Sequence, residues 1–296
     1  YSGGGNIRIY GKSTHTTNGW NNTGVSNSAR ILIDSGTGFV DIHGVSDNYY
    51  GVNFVSSSSN STTGDNFLSI VSDAPSGEAV KILGESNANY GVVFNYNNPK
   101  EVLATGGGEI IIEGNAGGNY GIFASNLDVL SASGTITVDG GSRGTTVLTD
   151  SMHLGSISSH GVISSSASDI VLIGDRLTRN QSVVVDTTGS VTVKSDSASF
   201  SSALSLSSSN FAISGSETGL VIGKEGNSAD VTFSSYSLSG PVSVYAGDIT
   251  LSGDLDTQAG LSSGDVLFKA SGFIQVSADI DTSGGNVILR SDSDGN

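Results

Sequence analysis

The chain has 296 residues, with 28 acidic and 12 basic side chains, a net charge of −16, 3 Pro and no Cys. That charge repels nucleic-acid phosphate and anionic membrane surfaces. The missing Cys excludes disulfide staples and thiol chemistry, and fits a bacterial exported protein stabilised by repeated packing. No run approaches the ~18 apolar residues of a membrane helix.

A chain with 42 Gly and abundant Ser has the composition of a linker. Its apolar residues, 36% of the total, argue otherwise, because they fall in short alternating runs suited to burying one face of a sheet. No stretch shows the i, i+3, i+4, i+7 spacing of a capped helix.

The runs begin at once. Ile7 and Ile9 share a face with Arg8 opposite, followed by Ile31 with Ile33, Val40 with Ile42, and Tyr50 with Val52 and Phe54. Residues 55–66 are a Ser-rich loop, and 95–101 a second polar insertion, where extra length in an exposed turn is cheap. A phrase then recurs: VDIHGVSDNYYGVNF, AVKILGESNANYGVVF and IIIEGNAGGNYGIF. In each, two glycines stand seven apart, at Gly44/Gly51, Gly84/Gly91 and Gly114/Gly121, and Tyr50, Tyr90 or Tyr120 precedes the second. Gly is expected there for positive φ at a corner. The phrase steps by 40, 30 and 26 residues from Gly44 to Gly84, Gly114 and Gly140. Ile110 and Ile112 read as a rung of the core, and Phe54 and Phe94 as candidates to stack on each other.

Residues 140–185 keep the alternation without the Asn-Tyr-Gly corner and read as transition coils. From 186 to 296 the repeat tightens. GDITLSGDLDT (247–257) lies over GFIQVSADIDT (272–282) at an offset of 25, and PVSVYA (241–246) over DVLFKA (265–270) at 24. Three strand-sized runs per period, joined by Gly and polar corners, are the plan of a stacked solenoid. The expected fold is all-β, a parallel β-helix with about three strands per coil. It forms one continuous unit over 1–296: coils with Asn-Tyr-Gly corners over 1–139, transition coils over 140–185, regular coils over 186–296. The opening in mid-pattern points to a segment of a longer protein.

GDITLSGDLDT, SGFIQVSADIDTSGGNVILRSD and ASGTITVDGG resemble the central repeats of filamentous haemagglutinin-type exoproteins, the large adhesins of bacterial two-partner secretion. The resemblance is strongest over 185–296 and weaker over 1–184. It implies a right-handed parallel β-helix, passage through an outer-membrane barrel transporter, and cell-surface display. The secretion domain of that family carries an Asn-Pro-Asn motif. Asn98-Pro99-Lys100 does not match it, so the resemblance implies shaft and not secretion signal. The family has no shared binding motif to carry over.

Residue chemistry assigns no catalytic, cofactor-binding or metal-binding residue, and no cofactor. His15, His43, His153 and His160 are scattered, and His153 and His160, seven apart, have no acidic or Cys partner at ligand spacing. Tyr50, Tyr90 and Tyr120 form either a packed corner ladder or a platform for sugar rings. Asp254/Asp256 and Asp279/Asp281 recur at one coil position, as turn residues or as carboxylates for Ca²⁺. Thr135, Thr137 and Thr192 are too sporadic for an ice-binding ladder. Sequons stand at Asn21, Asn60 and Asn180. The expected function is a structural or adhesive segment of an extracellular bacterial surface protein, not an enzyme. Its expected partners are glycans, cell-surface or matrix molecules, neighbouring coils or end-to-end copies, with no nucleic acid and no membrane insertion. The alternatives are a β-helical polysaccharide-binding or polysaccharide-degrading protein, and a self-stacking fibre subunit.

Overall fold

A strand with one apolar face cannot bury that face alone; it needs a partner above, below or behind. The computed structural model describes residues 3–14, 22–27, 30–55, 68–95, 99–147, 152–156, 168–179, 182–213, 217–258 and 264–292. In it the burial comes from stacking, and just over half of the described residues lie in strands.

The first strand of every coil joins one parallel sheet of 11 strands, from Ile7–Ser13 to Val287–Arg290. The second strands form a six-stranded sheet, from Val25–Asn27 to Leu177–Arg179, and then a four-stranded one, from Leu204–Ser207 to Ile274–Val276. The third strands form a seven-stranded sheet, from Ile31–Asp34 to Phe211–Ile213, and then a three-stranded one, from Tyr236–Ser237 to Ile280–Asp281. This is the expected all-β parallel solenoid with three strands to a coil.

Register explains the apolar pattern. Ile7, Val40, Val80, Ile110, Ile136, Ile170, Val191, Leu220, Val242, Val266 and Val287 stack as one inward ladder. Two residues along, Ile9, Ile42, Ile82, Ile112, Val138, Leu172, Val193, Ile222, Val244, Phe268 and Leu289 form a second. Like side chains stack on like, so each rung presents the next with the same shape. Phe54 lies on Phe94 with ring centroids 5.4 Å apart. The ten steps of the long sheet, at ~4.8 Å each, give a rod of roughly 48 Å.

The offsets read from the sequence are the observed ones. Val40 pairs Val80, Val80 pairs Ile110 and Ile110 pairs Ile136, steps of 40, 30 and 26 residues. Ile249 pairs Ile274 and Leu255 pairs Ile280 at 25, while Val242 pairs Val266 at 24. Of the two polar insertions, 56–66 and 96–98 lie outside the described residues, while Val55 and Asn95 end strands and Lys100 and Glu101 open the strand Lys100–Ala104, because the ladder pairing extends to them. The terminal rungs are the least covered. Val287, Ile288 and Leu289 are 44%, 41% and 45% exposed, and Ile7 and Ile9 are only partly buried.

The paired glycines need a correction. Positive φ is absent at Gly44, Gly51, Gly84, Gly91, Gly114 and Gly121. The first of each pair lies inside a strand, not at a bend, as Gly84 does in Glu78–Ser86. The need is close approach. The chain leaves the strand, loops out for six residues and returns across its own backbone. A Cβ on Gly44, Gly84 or Gly114 would stand 2.0, 2.1 and 2.1 Å from the carbonyl oxygen of Gly51, Gly91 and Gly121. Gly11 and Gly24 make the same crossing, at 1.9 Å, around a longer loop that hides the relation in the sequence.

Gly84→Ala is therefore expected to destabilise by about 1–3 kcal/mol, as overpacking does in a closed interior. Gly219→Ala, whose Cβ would meet its nearest atom at 3.4 Å, is expected to be nearly neutral. Urea midpoints of the two variants check this; equal midpoints would remove the crossing argument.

Candidate functional site

At the first corner, the residue two positions past the first glycine of each pair is Ser46, Ser86 or Ala116, and these stack in register. A Ser there can hold both its own loop and its neighbour's. Ser46 Oγ accepts the Tyr49 N–H at 2.9 Å and donates to the Asn22 carbonyl at 2.5 Å. Ser86 Oγ accepts the Asn89 N–H at 2.9 Å and donates to the Tyr49 carbonyl. Outside them, Asn119 Nδ2 donates to Asn89 Oδ1 at 2.6 Å and Asn87 Nδ2 to Asp47 Oδ1 at 3.1 Å.

The loops so held carry the tyrosines, which do form a ladder. Ring centroids are 5.5 Å apart for Tyr50–Tyr90 and 6.4 Å for Tyr90–Tyr120. Tyr49 lies 3.9 Å from Tyr50, and Tyr90 meets the edge of Phe123 at 5.4 Å. The Arg176 guanidinium covers Tyr120 at 4.9 Å and donates to its Oη at 3.2 Å. Tyr120 Oη donates in turn to Thr178 Oγ1 at 3.4 Å, so this ring reaches past one whole coil. Tyr50 is 9% exposed, and the faces of Tyr90 and Tyr120 are turned to other rings and to Arg176. The geometry is that of a packed corner. Burial first, then the neighbouring Tyr120 and Tyr49, holds the Tyr90 phenol above the ordinary tyrosine range.

The aspartates act on backbone. Asp256 Oδ1 accepts the Gln258 N–H at 2.8 Å and Asp281 Oδ1 the Ser283 N–H at 3.1 Å, as turn residues do. Asp254 Oδ1 reaches the Asp279 N–H in the next coil at 3.2 Å. Asp169, Asp230, Asp248 and Asp265 make the same inter-coil bond, to Ser190, Asp248, Phe273 and Asn286, at 2.7, 2.9, 3.0 and 2.7 Å. Among the described residues, no three His, Cys, Asp or Glu side chains gather as metal ligands.

His43 Nε2 lies 2.7 Å from Glu85 Oε1, with Tyr10 edge-on to its ring at 5.3 Å. His15, His160, Asn21, Asn60 and Asn180 fall outside the described residues, as does the side chain of His153. Thr137 and Thr192 share their outward row with Ile111, Val171 and Val221, which breaks any Thr ladder.

Residue-type searches missed a cleft. An open recess of about 320 Å³ lies on the long sheet's outer side, lined by Lys224, Glu225, Gly226, Asn227, Ser228, Tyr245, Ala246, Lys269 and Ser271. Lys269 pairs with Glu225 at 2.8 Å, and Lys224 Nζ donates to the Asp196 carbonyl at 3.1 Å. The hydrogen bond from Lys269, then its charge, draws the Glu225 carboxyl below the ordinary glutamate range. The offset of 24 already stacked Tyr245 on Lys269; the 223–230 loop that completes the recess has no repeat to align.

Compared with protein-family models, curated proteins and solved structures, the chain has no match.

Two pH effects follow. With the folded Tyr90 titrating above its unfolded value, stability is full below about pH 10 and falls as pH rises beyond it. Tyr90→Phe is expected to flatten that alkaline fall, read as melting temperature between about pH 9 and 11.5. Burial, more than Asp196 and Glu113, also raises Asp139 above the ordinary aspartate range, against the lowering by its Gly141 N–H bond. Ionising it costs stability as pH rises out of the ordinary aspartate range. Asp139→Asn keeps an oxygen for Gly141 and is expected to melt no lower than the parent at pH 7; a clear drop would overturn the assignment.

Proposed function

We propose that this chain is a stiff shaft segment of an extracellular bacterial surface protein, displaying corner loops for attachment to a cell, matrix or host. The observation that supports it most is the unbroken inward ladder through 11 strands while coil length varies between 21 and 40 residues. A core indifferent to loop length lets corners vary without bending the rod. The style of its last repeats, similar to haemagglutinin-type exoproteins, supports surface display.

The test has two arms. Antibodies raised against the purified chain are expected to label intact cells of the source, and to block their attachment. Labelling only after lysis, or attachment that the antibodies leave unchanged, would overturn the reading.

A further inference from the structure

Of the four Lys and Arg after residue 179, Lys194, Lys269 and Arg290 fall on one axial row and Lys224 stands one residue beside it, in a stretch that also holds 13 acidic residues. The register makes the row. Val193 pairs Ile222, and Ile222 pairs Val244, which sets Lys194 and then Gly223–Lys224 level with Tyr245 along the rod. Tyr245 pairs Lys269, and Lys269 pairs Arg290. Four of five successive coils therefore place a cation or a tyrosine on one line, with Lys224 beside the line in the other, over roughly 19 Å at the strand spacing. The open recess of about 320 Å³ lies within that line.

We infer that this row and its cleft bind a linear glycan carrying acid groups along its length. A single thin chain lying parallel to the axis meets one cation per coil or two. Tyr245 offers an apolar ring to a sugar face and a hydroxyl to its edge. A duplex nucleic acid would also cover the flanking aspartates, such as Asp230 and Asp248, and be repelled by them.

Glu225 is the competitor built into the site. Its carboxylate takes the Lys269 ammonium in an ion pair whose Glu side chain is 76% exposed. Such a pair is weakly held, so a carboxylate or sulfate on the glycan can replace it. Gly226, next to it, has no atoms within 4 Å of where a Cβ would stand, so that side of the loop is open to an approaching ligand.

This names the partner of the adhesive surface proposed above and rests on that reading. Calorimetric titration of the chain with oligogalacturonate, dextran sulfate, unmodified dextran and a short DNA duplex tests it. Binding is expected to one or both acidic glycans, weakening with salt, and not to dextran; the two acidic arms tell carboxylate from sulfate. Lys224→Ser with Lys269→Ser is expected to lose at least tenfold in affinity with an unchanged far-UV spectrum. Glu225→Gln, which frees Lys269 and removes no cation, is expected to bind several-fold tighter. Equal retention of dextran, tighter binding of DNA, no binding of either acidic glycan, or a Glu225→Gln variant no tighter than the parent would each overturn the site. A chain whose antibodies label the cell surface and block attachment, yet which binds neither acidic glycan, loses this site and keeps its shaft.

Discussion

The backbone of each coil must lie on the backbone of the one before, within a single strand spacing of ~4.8 Å, all the way round. Most other features answer to that closeness. Inward rows are β-branched or Leu because identical shapes stack without voids. The corner crossings at Gly44/Gly51 and Gly84/Gly91 leave no room for a Cβ. Ser46 and Ser86 each tie their own loop to the neighbour below. A sequence rich in Ser and Gly is thus saturated with structural hydroxyls and close crossings, not padded with linker.

The same constraint accounts for part of the acidity of the later coils. Asp169, Asp230, Asp248, Asp254 and Asp265 each accept a backbone N–H one coil on, at corners where the regular ladder lapses. A carboxylate is a strong acceptor for an orphaned N–H. Repeating the device in the later coils adds negative charge to that part of the rod, and against that background the four cations after residue 179 stand out.

The architecture was legible because its signal is periodic. Ile249 over Ile274 and Gly44 over Gly84 are each read by sliding the chain along itself, and register preserves the offset. What escaped was whatever depends on distance without period. The Gly11/Gly24 crossing is the same device with a longer loop, so no fixed spacing marks it. The positive-φ expectation failed because glycine has two uses, and a sequence does not say whether space or torsion is short. The recess at Lys224 is closed by a one-off loop on neighbouring repeats; composition located its charges but not their common line.

The two side faces do not run the whole length. The six-stranded sheet stops at Leu177–Arg179 and its successor starts at Leu204–Ser207; the seven-stranded sheet stops at Phe211–Ile213 and its successor starts at Tyr236–Ser237. Strands lie across the rod, so the bonds between coils point along its axis and share any pull. Among the described residues, two of the three faces have ladder pairing at each handover, helped at the first by the Ser201 N–H bond to the Asp175 carbonyl at 2.8 Å. Under tension those two levels are the weakest cross-sections. The rod thus carries its own preset yield points, while the 11-stranded sheet that bridges both acts as the tether that keeps the pieces together.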